Sequence, residues 1–193
     1  MDVTTVGKHL SVGSDPPPDA TSAYDLVVLV SAQHQHVGER FPTAVLRAGL
    51  PDLDAEPTRE GVKRAQAVAE RVAYEIAPFC IPWPIFNQFS PQPAGTVPTS
   101  KDPEPMREKN VLVTCEEGMN RSLWVAGMAL VLAGEQATGK EARLYLEKLR
   151  GPNAFESRGM RDALDRYYPA EFAAFRAPPI GQSRVVRGGF AVR

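Results

Sequence analysis

The chain has 193 residues, 43% of them apolar, which is enough to bury the core of one domain but not of two full ones. Its formal charge of -1 provides no global positive field for nucleic acid or a membrane surface, so an anionic substrate has to be held by local groups. Two cysteines, Cys80 and Cys115, lie in unlike surroundings and form neither a disulfide framework nor a zinc pattern.

In chain order, Leu10 to Ser14 reads as a short strand before the turn-rich Asp15 to Asp19. Leu26 to Val30 is a continuous branched apolar run, which suits a central strand covered on both faces. Ala44 to Ala48 is a further strand, with Gly49-Leu-Pro-Asp52 turning it into a loop. From Thr58 the apolar positions Val62, Ala65, Ala69, Val72, Ile76 and Phe79 recur at helical spacing and predict a helix whose stripe faces the sheet. Residues 80–109 are broken by prolines and read as an insertion on the surface. Its aromatic residues Trp83, Phe86 and Phe89 call for cover and mark it as a candidate partner-binding or substrate-shaping surface.

Regular structure resumes at Asn110 to Cys115, a buried strand, and a helix follows from about Arg121. Leu123 to Ala133 is apolar all round, which over this length predicts a helix buried inside the domain rather than one crossing a membrane. Thr138 and Glu141 have the form of a capping box, and the helix behind them should bury Ala142, Tyr145, Leu146 and Leu149. A last helix from Ser157 carries Met160, Leu164 and Tyr168. Strands interleaved with helices predict an α/β fold, a central mixed and mostly parallel sheet flanked by helices. The expected organisation is a single domain over 1–177, with the insertion at 80–109 and a tail at 178–193.

The segment that carries chemistry is Val111-Leu-Val-Thr-Cys-Glu-Glu-Gly-Met-Asn-Arg-Ser122, a Cys-x5-Arg spacing at a strand-loop-helix junction. Amides of a tight loop and of a helix's first turn lack intrahelical partners and converge on an anion. Gly118 lets the loop curl without a side-chain penalty. The guanidinium of Arg121 offers two parallel donors to equatorial phosphoryl oxygens, a planar fork that lysine lacks. The same amides favour the thiolate of Cys115 as nucleophile. Ser122 is placed to donate to the sulfur as it leaves. Loop residues Glu116, Glu117, Gly118, Met119 and Asn120 are read as substrate-binding together with Arg121, with both glutamate side chains turned to solvent, where they least oppose a thiolate.

VLVTCEEGMNRS resembles the VLVHCxxGxxRS signature of the dual-specificity phosphatases. Further likeness lies in Leu10-Ser-Val-Gly-Ser14, in Val45 to Asp52 and in Gly139-Lys-Glu-Ala142. The resemblance implies the phosphatase fold and hydrolysis of phosphotyrosine, with phosphoserine and phosphothreonine as further substrates, through a phosphocysteine intermediate. It also implies that Asp52, from Leu50-Pro-Asp52, is the general acid that protonates the leaving oxygen. Asp54 is the rival, with a structural role in capping or turn formation open to it. Thr114 stands where that family usually has histidine, and the insertion replaces a short connection; the first departure implies weaker activity.

The neighbouring readings are a catalytically weak module that binds phosphorylated partners, an RNA phosphatase and a phosphoinositide phosphatase. Glu116 and Glu117 in the loop disfavour lipid headgroups, and the balanced charge disfavours RNA. His34 and His36 form a pair without further ligands, so no metal is assigned. The expected partner is a phosphorylated protein or peptide, with no cofactor, nucleic acid or membrane. The N-terminal MDVTTVGKHL shows no charged-then-apolar signal pattern, and with the unpaired cysteines this predicts a soluble cytoplasmic protein.

Overall fold

Branched apolar residues dominate the strands of one sheet in the computed structural model, which describes residues 2–14, 23–32, 44–51, 57–78 and 107–167. The strands are β1 (Val3–Thr5), β2 (Leu10–Gly13), β3 (Leu26–Ser31), β4 (Ala44–Leu50) and β5 (Val111–Thr114). Their spatial order is β1-β2-β5-β3-β4. β1 runs antiparallel to β2, whereas β2, β5, β3 and β4 are mutually parallel. The predicted mixed, mostly parallel α/β sheet is thus observed. β5 and β3 are buried along their whole length, as strands covered on both faces must be.

β4 is longer than expected, running through Gly49 to Leu50. Glycine keeps its N–H and so need not end a ladder, whereas Pro51 brings no donor.

The helices are α1 (Arg59–Ile76), α2 (Arg121–Leu132), α3 (Gly139–Arg150) and α4 (Arg158–Asp165). Thr58 caps α1 by accepting the Gly61 N–H at 3.1 Å. The face of α1 turned inward carries Ala65, Val68, Ala69, Val72, Ala73 and Ile76, while Val62 is only half-buried. Every residue of α2 is buried, and the helix packs against α1, α3, α4 and the sheet. That is the environment its apolar sequence from Leu123 onward requires.

The capping residues of α3 behave as expected, since the Thr138 hydroxyl accepts the Glu141 N–H at 3.2 Å and the Glu141 carboxylate accepts from Ala137 N at 3.1 Å, but one expectation for this helix is corrected. Leu149 is 40% exposed, while Ala142 and Leu146 are fully buried and Tyr145 is half-buried. Positions 142, 146 and 150 form one row at helical spacing, so the inward place in the last turn goes to Arg150, with its side chain 2% exposed. Ser157 caps α4, whose Met160 and Leu164 are buried as predicted. Phe79 and Tyr168 lie outside the described residues.

The parallel strands bring Gly13, Thr114, Ser31 and Leu50 to one edge of the sheet, the position where open α/β sheets hold their ligands. At the opposite edge, residues 107–110 are tied down before β5 begins. Lys109 N donates to Glu75 O at 2.8 Å, and Lys109 Nζ lies 2.8 Å from the carboxylate of Glu75, which also pairs with Arg71. Asp25 accepts from Arg107 at 2.6 Å and from Asn110 N at 3.0 Å, and Glu108 meets Lys8 and His9, each at 2.7 Å.

Candidate active site

β5 delivers Cys115 to the bottom of a loop formed by residues 115–120, and α2 leaves that loop at Arg121. The thiol is 1% exposed. Its sulfur accepts the Gly118 N–H at 3.1 Å and lies 3.3 Å from the Ser122 hydroxyl. Cys115 N in turn donates to Gly13 O at 3.3 Å, which fixes the loop against the end of β2.

Gly118 is required by both conformation and space. Its φ is +74°, and a Cβ there would stand 2.6 Å from Ser14 N and 2.7 Å from the Gly13 carbonyl carbon. The tight curl that aims its amide at the sulfur is therefore built on the absence of a side chain.

Arg121 is the first residue of α2, with its side chain 4% exposed. Its Nη1 donates to the Ser31 hydroxyl at 3.1 Å, and its Nη2 lies 3.6 Å from a Glu116 carboxylate oxygen. β3 thus supports the guanidinium from below. Both glutamates are exposed as expected, but Glu116 also leans toward Arg121 across the rim.

The outer side of the loop is tied to the α3–α4 corner. Met119 O accepts the Phe155 N–H at 2.9 Å, and the Asn120 side-chain oxygen accepts the Ser157 N–H at 2.8 Å. Asn120 spends its side chain on α4 and makes no cap on α2, whose N-terminus faces the loop. Amides of that first turn are the groups that favour an anion.

Cys115, Gly118, Arg121 and Ser122 are thus assembled in one turn of chain, with Met119 and Asn120 forming its wall. Asp52 and Asp54, the His34 and His36 pair, Cys80 and the aromatic residues of the insertion lie outside the described residues. Thr114 is fully buried at the end of β5. Sequence reasoning missed Ser31 and Arg150. The signal for Ser31 is a lone hydroxyl ending an apolar strand; that for Arg150 is a charged residue in register with Ala142 and Leu146.

No protein-family model matches the chain. No curated protein sequence matches it either. Solved structures do. Human DUSP28 is 19% identical and superposes with a TM-score of 0.56, covering 91% of this chain and 95% of its own. DUSP15 is 15% identical, with a TM-score of 0.57 over 90% of this chain and 92% of its own. A mouse putative dual-specificity phosphatase, solved in complex with zinc tungstate, is 20% identical with a TM-score of 0.54 over 92% of each chain. With sheet order, loop and helices all accounted for, the chain has the fold of the dual-specificity phosphatases.

Proposed function

We propose that the protein is a phosphoric monoester hydrolase acting on phosphorylated proteins or peptides, with Cys115 as nucleophile. The observation that carries this reading is the sulfur held between the Gly118 N–H and the Ser122 hydroxyl, in a loop that ends on Arg121 at a helix N-terminus. A buried sulfur facing donors is poised as an electron-rich centre rather than as a core filler.

In the first step the sulfur attacks phosphorus while the bond from phosphorus to the ester oxygen breaks, and the departing oxygen takes a proton from Asp52. Arg121 and the loop amides hold the three non-bridging oxygens as charge redistributes. In the second step water, deprotonated by the same carboxylate, displaces the sulfur from phosphorus. The Ser122 hydroxyl donates to the sulfur as it regains its charge. Ser31 keeps the guanidinium oriented, and Glu116 is the group that a bound phosphoryl has to displace from Arg121. The tungstate-bound mouse structure supports an oxyanion as occupant, since tungstate shares the tetrahedral charge distribution of phosphate.

Exposed carboxylates at Glu116 and Glu117 favour phosphoproteins over polyanionic lipid headgroups or RNA. The reduced state of Cys115 on which this chemistry depends suits a cytoplasmic setting. A second reading, a module that binds phosphorylated partners and turns them over weakly, is favoured by Thr114 in place of the usual histidine.

Hydrolysis of an aryl phosphate decides between the two. Vanadate-sensitive turnover that Cys115→Ser abolishes supports the enzyme. Phosphopeptide binding without Cys115-dependent turnover supports the module. Neither binding nor turnover removes both.

A further inference from the structure

We infer that Arg150 is a positioning residue for the oxyanion cradle, an inference that rests on reading the Cys115 loop as the phosphoryl site. Arg150 ends α3, and its guanidinium is buried between β1 and the outer wall of the loop. Nη1 lies 2.8 Å from the Asp2 carboxylate and 2.9 Å from the Thr4 hydroxyl, while Nη2 donates to Gly118 O at 3.4 Å and reaches Met119 Sδ at 3.6 Å. Asp2 is 75% exposed, so its pairing alone contributes little toward burying the charge. The loop carbonyl is the more telling partner.

A trans peptide is planar, with its C=O and N–H pointing in opposite directions. Arg150 holds the carbonyl of the 118–119 peptide on the outside of the loop, which turns the Met119 N–H inward. Phe155 N does the same one peptide later, holding Met119 O outward at 2.9 Å and turning the Asn120 N–H inward. The side called inward is fixed by the Gly118 N–H, which points at the sulfur. Two successive cradle amides are therefore aimed by donors behind them. Arginine suits the first of these posts because one planar group reaches β1 with one nitrogen and the loop with the other.

The test is the preference of Cys115 for iodoacetate over iodoacetamide at neutral pH, read by peptide mass spectrometry. Both reagents consume the thiolate, so their rate ratio reports the anion cradle and not the ionisation of the sulfur. Wild type should favour the anionic reagent. In R150K, which keeps the charge but not the two-armed reach, the ratio should fall about fivefold, the worth of one hydrogen bond. D2N/T4V, which weakens only the contacts to β1 and to the residue before it by removing the Asp2 charge and the Thr4 hydroxyl, should keep the wild-type ratio at a lower melting temperature.

An R150K protein that keeps the ratio, or that loses its fold, assigns Arg150 to holding β1 and overturns the inference. So does a D2N/T4V protein whose ratio falls as far as that of R150K. A wild type without preference for iodoacetate removes the phosphoryl site itself, an outcome distinct from either.

Discussion

Gly118 shows how far one residue controls this site. At φ +74° and with backbone atoms 2.6 and 2.7 Å from the place of a Cβ, it has no room for alanine. Gly118→Ala should cost about 2–4 kcal/mol in strain and crowding, read by urea denaturation, and should reduce turnover by more than about 100-fold. A variant with wild-type turnover would show that the curl at 118 is not needed. Ser31→Ala is gentler. Losing one hydrogen bond to the Arg121 guanidinium should lower kcat/KM about fivefold, with little change in stability. Asp52→Asn should slow turnover most for substrates with poor leaving groups, and Asp54→Asn should not; the reverse result would move the general acid to Asp54. At this scale Cys115, Gly118, Arg121 and Ser122 were legible because their chemistry is packed into one continuous segment. Ser31 and Arg150 were not, because each reaches the site from an element distant in sequence.

Among the elements, the buried strands and helices were the easiest to read. Leu26 to Val30 and Val111 to Thr114 have no polar face, and Leu123 to Ala133 has none either, so each admits only an interior position. The errors fell where a local rule met a tertiary contact: β4 continued past Gly49, and Arg150 took the inward position expected of Leu149. The same view explains how β3 and β5 begin. The Asn110 N–H holds the Asp25 carboxyl below its ordinary range against the opposing effect of burial, and the Arg107 guanidinium adds to the lowering. Such a group binds its proton less readily folded than unfolded. It therefore adds stability above its unfolded pKa and loses that contribution as pH falls through the folded one. The stability gap between wild type and Asp25→Asn should be present at pH 7 and close below about pH 4. A gap that stays constant on acidification would assign the effect to packing.

For the molecule as a whole, the two edges of the sheet have separate duties. The loop of Cys115 lies beyond the C-terminal ends of the parallel strands, whereas residues 107–110 are fastened at the other end by Glu75, Asp25, Lys8 and His9. The chain leaves α1 at Ile76 and is back beside Glu75 by Lys109, so the ends of segment 79–106 are held together by described residues. Glu75 is the centre of that fastening, 4% exposed and paired with both Arg71 and Lys109. Replacing 79–106 with a Gly-Ser linker of about six residues should leave the fold and Cys115-dependent turnover within about twofold of wild type, because the closure is already made. In that shortened chain Glu75→Ala should cost about 1–3 kcal/mol, since it strands two cations at a closed stem. Turnover that collapses on excision while the melting temperature holds would make the segment part of the substrate site. Collapse of both would mean that its aromatic residues are part of the core, and that the fastening at Glu75 only completes what they begin.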